Sequence, residues 1–155
     1  MLTVRMHAAV AGVMLAVALV GTPAQADLSA AVKADLANSQ YVYIATTRKG
    51  GSFGKPAEIW FLYHKGAVYV ASPPTTWRVR RIKAGRSQAK IAVGKPDGPS
   101  FMATGALVNE PDVYPILFDT YAKKYPDGWP KFEEKFRSGL KDGSRVLIKF
   151  TPKDR

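Results

Sequence analysis

Residues 57–94 decide the fold and read AEIWFLYHKGAVYVASPPTTWRVRRIKAGRSQAKIAVG. The first eight residues are apolar on both faces, which is typical of a strand inside a closed sheet or between two layers. Lys65-Gly66 then predicts a tight turn, and Pro73-Pro74 ends the strand that follows it. In order, we predict a strand over 57–64, a strand over 67–72, a helix over 77–84 and a strand over 89–94.

The flanking sequence adds three strands and three helices to this stretch. Apolar residues at Leu28, Val32 and Leu36 repeat at helical spacing, and Asp27 or Ser29 could cap that helix. The added helices are predicted over 28–38, 111–125 and 130–140, and the added strands over 41–47, 101–108 and 144–151. The sequence therefore predicts a mainly β domain with helices (α+β), in which six short strands form a small barrel covered by helices.

The first 26 residues have the three parts of a secretory signal peptide. Arg5 is the only charged residue before an apolar run of 13 residues, and Ala24-Gln25-Ala26 supplies a small–x–small cleavage pattern. The run is shorter than the about 20 residues of a spanning helix, and no second arginine adjoins Arg5. We therefore expect a Sec-type leader cleaved after Ala26, and a secreted or periplasmic product with no integral membrane segment.

The expected mature chain divides into an N-terminal helix over 27–40 and a barrel domain over 41–155. It contains no cysteine, so packing rather than disulfides must hold it together. The whole chain carries 23 Lys and Arg against 12 Asp and Glu, a formal charge of +11. Such an excess favours a small anionic ligand, a membrane surface or nucleic acid, although solubility alone explains many basic exported proteins.

Most local motifs in the sequence do not indicate a catalytic or metal-binding site. Residues 50–54, GGSFG, match the nucleophile elbow of hydrolases, but they lie between two predicted strands, where a glycine-rich turn is expected. His64 is the only histidine after the leader, so no metal site can be assembled from imidazole and thiolate ligands. Glu133 and Glu134 point about 100° apart on a helix and are expected at the surface. The sequence therefore names no catalytic residue and no metal ligand.

The basic helix over 77–84 is the candidate binding element. Arg78 and Arg81 fall on one side at i, i+3, whereas Val79 and Ile82 face the core. Guanidinium groups fit phosphate bidentately, and Thr76 with the first N–H groups of the helix would complete a phosphate cradle. The alternative from the residues alone is a solvated basic face.

The order of these elements resembles the split β-barrel superfamily, which includes pyridoxamine 5'-phosphate oxidase-like and deazaflavin-dependent nitroreductase-like flavin-binding proteins. The resemblance extends from about residue 41 to 152. It rests on the order of a strand, a glycine turn, a Trp60-Phe61 strand, a hairpin, a YVAS strand, a W-R-V-R-R-I helix and an A-K-I-A-V strand. Residues 125–132, YPDGWPKF, fit the closing segment of that superfamily.

The resemblance implies a six-stranded, FMN-binding-like split barrel, a homodimer, and hydride transfer with FMN or a deazaflavin as cofactor. A non-catalytic split barrel that binds haem, a lipid or another anionic or amphiphilic small molecule is the alternative. Specific nucleic-acid binding is not expected, because Tyr41, Tyr43 and Trp60 are better placed in a core than on a base-stacking surface. The positions that match cofactor-binding residues are Thr46, Thr47, Ala71, Ser72, Thr76, Arg78, Arg80 and Arg81.

Overall fold

The computed structural model describes residues 25–154, so the predicted leader, apart from Gln25 and Ala26, lies outside the described residues. Within this range no helix is long and apolar enough to cross a bilayer. The helices are α1 (Ala30–Asn38), α2 (Trp77–Lys83), α3 (Val113–Lys124) and α4 (Trp129–Asp142). The strands are β1 (Val42–Thr46), β2 (Ala57–Ile59), β3 (Leu62–His64), β4 (Ala67–Ser72), β5 (Gln88–Val93), β6 (Ser100–Val108) and β7 (Val146–Pro152).

The seven strands form one antiparallel sheet in the order β2-β1-β5-β6-β7-β4-β3. Strands β2 and β3 occupy opposite edges of this sheet, yet only Trp60 and Phe61 separate them along the chain. A two-residue connection spans no more than roughly 11 Å. The sheet must therefore curl until its edges nearly meet, which produces a half-barrel and corrects the predicted number of strands from six to seven.

The prediction of one continuous strand over 57–64 is wrong, because the ladder stops at Trp60-Phe61. The Trp60 ring stacks on Tyr125 with centroids 4.2 Å apart and an interplanar angle of 8°. The Phe61 N–H donates to the Tyr125 hydroxyl at 3.1 Å, and the Tyr121 hydroxyl donates to the Trp60 carbonyl at 2.9 Å. Two tyrosines from the α3 region thus replace the strand neighbours that these backbone groups lack.

Two apolar clusters hold the fold together. One fills the barrel, where Val68, Val70 and Phe61 are fully buried against side chains of the other strands, of α1 and of α2. The second lies under α3 and α4 and includes Tyr69 and Ala71. Alternate residues of β4 enter different clusters, so this strand is buried on both faces. The predicted burial of both faces of residues 57–64 is wrong for β2, which lies at an edge of the sheet and exposes Glu58.

The apolar stripe and the Ser29 cap predicted for α1 are confirmed, and α3 and α4 show residues suited to their ends. Leu36 is buried in the barrel cluster, with Leu28 and Val32 packed against it, and the Ser29 hydroxyl accepts from the Val32 N–H at 3.3 Å. Pro115 is the third residue of α3, where no intrahelical N–H is needed. Gly143 ends α4 in the left-handed region at φ 84°.

Candidate functional site

A cleft of about 450 Å³ opens between α2, the end of β1 and the loop from β1 to β2. It combines a basic side with an apolar wall, the latter supplied by Ile44, Ala57 and the indole of Trp77. None of the side chains that line it is acidic. The described residues that line it are Ile44, Thr46, Arg48, Lys55, Ala57, Thr76, Trp77, Arg78 and Arg81.

Arg81 joins the basic helix to the barrel. Its Nη1 donates to the Thr46 carbonyl at 3.2 Å and to the Thr46 hydroxyl at 3.0 Å. The guanidinium also lies against Gly54, where an added Cβ would come within 2.4 Å of Nη1. The Gly54 N–H donates to the same Thr46 carbonyl at 2.9 Å. Gly54 therefore leaves the space that lets the guanidinium lie between the glycine loop and the end of β1.

Arg78 is a half-buried cation of the cleft. Its Nη1 donates to the Ser72 hydroxyl at 2.9 Å, and Ser72 itself is only 1% exposed. Burial lowers the pKa of Arg78 from its ordinary value. No carboxylate among residues 25–154 forms a salt bridge with it. A partly desolvated guanidinium without a negative partner is a site where an anion would be stabilised.

The structure brings together four of the eight positions matched to cofactor-binding residues, and two of the four bear positive charge. Thr46, Thr76, Arg78 and Arg81 line the cleft, and Ser72 contacts it through Arg78. The other three do not line it. Thr47 donates to the Gln88 carbonyl at 2.9 Å, Ala71 belongs to the cluster under α3 and α4, and Arg80 is exposed on α2.

Thr76 precedes α2, as predicted, but its side chain does not cap the helix. The Thr76 hydroxyl donates to the Pro73 carbonyl at 3.0 Å instead of accepting an N–H of the first helical turn. The hydroxyl therefore fixes the turn that enters α2. The threonine residues before Trp77 predict a capped helix start, and that prediction is wrong for the Thr76 side chain.

Sequence reasoning missed five of the nine residues that line the cleft: Ile44, Arg48, Lys55, Ala57 and Trp77. Trp77 is 67% exposed, and the guanidinium of Arg81 lies 5.5 Å from its ring centroid. The i, i+4 spacing of Trp77 and Arg81 was a usable signal for their shared face. Arg48 and Lys55 lie more than 20 residues before α2, so only the fold brings them to it.

The positive charge of the protein is concentrated around this cleft. Residues 47–57 and 75–87 contain eight Lys or Arg and no Asp or Glu. Since the whole chain has a formal charge of +11, everything outside these two segments together carries only +3. The cleft and its rim are therefore the electropositive side of an otherwise nearly balanced molecule.

His64, the histidine of the hairpin, lies in a different place. It contributes to a second cleft with Tyr69, Glu110 and Lys149. There the Tyr69 hydroxyl donates to Glu110 at 2.8 Å, and Lys149 lies 3.3 Å from the same carboxylate. The predicted hairpin turn is confirmed, with Lys65 at φ 48° and Gly66 at φ 77°.

Several solved structures have the same fold as this chain, and the match extends over most of each of them. A pyridoxamine 5'-phosphate oxidase-type protein of Listeria innocua superposes with a TM-score of 0.56 at 15% identity, covering 80% of this chain and 92% of its own. The chain has the split-barrel fold. A protein named F420 reductase gives 0.52 at 19% identity, covering 79% and 93% of the two chains. The split barrel of HutZ, a haem storage protein of Vibrio cholerae, gives 0.53 at 12% identity and covers 81% and 89%.

The resemblance to the split-barrel superfamily is confirmed by these structures at the level of the fold. No protein-family model matches the chain, and no curated protein is similar to it in sequence. The names of these split-barrel proteins include an oxidase, a reductase and a haem storage protein. The fold alone therefore leaves the ligand open, and the chemistry of the cleft must be used to choose.

Proposed function

We propose that this protein is an exported split-barrel oxidoreductase that binds FMN or a deazaflavin in the cleft beside α2. The observation that carries the proposal is the pair Arg78 and Arg81, which line a cleft without an acidic side chain. Guanidinium groups are suited to phosphate, and the apolar side chains that share the cleft with them suit a flat aromatic ring system. Two neighbours are named as an oxidase and a reductase, which agrees with this class of ligand.

The residues present fit such a cofactor in charge and in size. The cleft of about 450 Å³ falls within the roughly 300–1,000 Å³ typical of small-molecule sites. Arg78 and Arg81 would hold the phosphate, and Trp77 with Ile44 would contact the ring system. A bound flavin or deazaflavin would supply hydride transfer, while the protein would orient it and neutralise its charge.

The alternative is a non-catalytic binder of haem, a lipid or another amphiphilic anion. One observation favours it: the lining of the cleft contains no carboxyl, imidazole or thiol group among the described residues. A site of this composition favours an anion, and the Lys55 amine is the one side chain of its lining that would serve a substrate as a general acid or base. The name of the haem storage protein with the same fold agrees with this alternative.

The two guanidinium groups of Arg81 and Arg80 provide a matched test. Both lie on α2, 5.5 and 5.6 Å from the Trp77 ring centroid, but only Arg81 lines the cleft. FMN, a deazaflavin and haem should each be titrated against the wild type, Arg81→Ala and Arg80→Ala. A hydrogen bond to a charged group contributes roughly 1.5–3 kcal/mol, so Arg81→Ala should bind the true ligand about 10- to 100-fold more weakly. Arg80→Ala should bind it within about twofold of the wild type.

Because Arg81 also bonds to Thr46, its loss could disturb the end of β1 rather than the ligand. Arg81→Lys retains the charge without the bidentate fork and should give intermediate affinity. Melting temperatures of all variants would reveal a folding defect. Equal affinity of the wild type and Arg81→Ala for every probe would refute the assignment of the cleft. Tight binding of haem without flavin binding would select the alternative.

We also propose that the protein is a homodimer. Large apolar side chains remain exposed on α3 and α4, with Phe132 at 41% and Ile116 at 39%. Exposed aromatic and aliphatic groups of this size are typical of interfaces. Light scattering at micromolar concentration should give twice the monomer mass, and a monomer at every concentration would refute the proposal.

Export with cleavage after Ala26 completes the proposal, and its support is the leader-like sequence before Asp27. The intact mass and the N-terminal sequence of protein recovered outside the cytoplasm test it. The expected product begins at Asp27. A protein that retains Met1, or that stays in the cytoplasm, would contradict this part.

A further inference from the structure

The rim of the cleft forms a surface of aromatic and basic residues that extends beyond the cleft lining and shares only Trp77 and Arg48 with it. Trp77 and Phe53 are 67% and 38% exposed, and they lie on α2 and on the loop between β1 and β2. These two elements adjoin, because the Arg81 guanidinium touches Gly54, the residue after Phe53. We call this surface the aromatic–basic rim; it consists of Arg48, Lys49, Phe53, Trp77, Arg80 and Lys83.

All the charges that this rim carries are positive. Four of its six residues are Lys or Arg, and the two segments that supply them contain no Asp or Glu. Arg80 lies 5.6 Å from the Trp77 ring centroid, so an apolar ring and a cation are presented side by side. Indole rings favour the boundary between water and lipid, and neighbouring basic residues favour anionic headgroups.

Helix α4 also exposes an aromatic side chain, but the charges around that side chain are mixed. Phe132 on α4 is 41% exposed, but its neighbours on that helix are of both signs, Lys131 and Lys135 with Glu133 and Glu134. The Glu133 carboxylate is also paired with Arg137 at 2.8 Å. Only the rim therefore combines exposed rings with charge of one sign among the described residues.

From this combination we infer that the aromatic–basic rim docks the protein on an anionic phospholipid bilayer. Trp77 and Phe53 insert at the level of the headgroups, and Arg48, Lys49, Arg80 and Lys83 contact lipid phosphates. Duplex nucleic acid would use the same cations, but it gives no reason for two exposed rings, one on α2 and one on the loop between β1 and β2. The inference concerns a surface outside the cleft lining, apart from Trp77 and Arg48, and does not depend on which ligand the cleft binds.

Vesicle co-sedimentation tests the docking with the chain that begins at Asp27, so that the apolar leader does not itself bind lipid. Both apolar clusters consist of residues after Asp27, so the chain that begins at Asp27 retains the core. Vesicles of phosphatidylglycerol and phosphatidylcholine in equal parts should bind the protein, and vesicles of phosphatidylcholine alone should bind it at least about tenfold more weakly. Binding should also weaken as salt is raised from about 0.05 to 0.5 M.

Matched variants separate the rim from general charge. Arg80→Ser/Lys83→Ser should weaken vesicle binding about tenfold or more, whereas Lys131→Ser/Lys135→Ser, which removes two charges from α4, should change it less than about threefold. Trp77→Ser should likewise weaken binding, and Phe132→Ser should not. In the wild type, vesicles should shift the emission of Trp77 to shorter wavelength, and Trp77→Phe should lose that shift.

Three outcomes would overturn the inference: equal binding to both kinds of vesicle, equal losses in the α2 and α4 variants, or binding to duplex DNA without binding to anionic vesicles. Failure here is distinguishable from failure of the proposed cofactor site. Arg80→Ser/Lys83→Ser should still bind the cofactor, because neither residue lines the cleft.

Discussion

Gly105→Ala is the substitution for which the structure gives the clearest expectation. Gly105 lies in β6 opposite Phe150 of β7, at a point where α2 packs on the sheet. An added Cβ would come within 2.7 Å of Phe150 Cε1 and 2.9 Å of Ile82 Cδ1. Real Cβ atoms do not approach neighbours so closely, and Phe150 is fully buried, so a side chain or α2 itself must move.

The expected loss follows from two opposing effects. Overpacking a well-filled core costs about 1–3 kcal/mol, whereas replacing glycine lowers the entropy of the unfolded chain and returns about 0.4–1 kcal/mol. Gly105→Ala should therefore lower the free energy of unfolding by about 1–2 kcal/mol and the melting temperature by about 3–8 °C. Because Ile82 belongs to α2, the displacement should also weaken ligand binding through Arg81.

Gly50→Ala is the matched control. No heavy atom lies within 4 Å of a Cβ built at Gly50, and its backbone is outside the left-handed region. The same change of residue should leave stability unchanged or raise it by about 0.4–1 kcal/mol. Urea unfolding of both variants measures the difference. If Gly105→Ala is as stable as the wild type, or if Gly50→Ala loses as much, the packing argument is refuted.

Two further predictions concern the junction at Trp60-Phe61. Tyr125→Phe removes the hydroxyl that accepts the Phe61 N–H and donates to the Gln40 carbonyl at 2.7 Å. Urea unfolding should then show a free energy of unfolding lower by about 1–3 kcal/mol. An unchanged unfolding midpoint would contradict this prediction. Burial lowers the pKa of Lys124 from 10.5 to about 8. Between these two pH values the unfolded chain holds the Lys124 proton and the folded chain does not. The free energy of unfolding should therefore rise with pH across this range. Lys124→Met should remove that contribution, and an unchanged pH slope between the variant and the wild type would contradict it.

Local patterns in the sequence predicted most of the elements. The helical stripe of Leu28, Val32 and Leu36 follows from spacing along a few residues, and it is confirmed. Arg78 and Arg81 were placed on one face of α2 for the same reason, and both line the cleft. Properties that depend on three or four neighbouring residues are readable because helix and strand geometry fix them.

The break at Trp60-Phe61 was not readable, because Tyr121 and Tyr125 supply its hydrogen bonds from about 60 residues away. Without that break the chain could not pass from one edge of the sheet to the other, and the barrel would not curl. Arg48 and Lys55 likewise join α2 only through the curled sheet. The sequence by itself determined which segments are strands and helices and which segments carry the positive charge. Only the tertiary structure decided which cations share a cleft, because their proximity depends on contacts between segments that are distant in the chain.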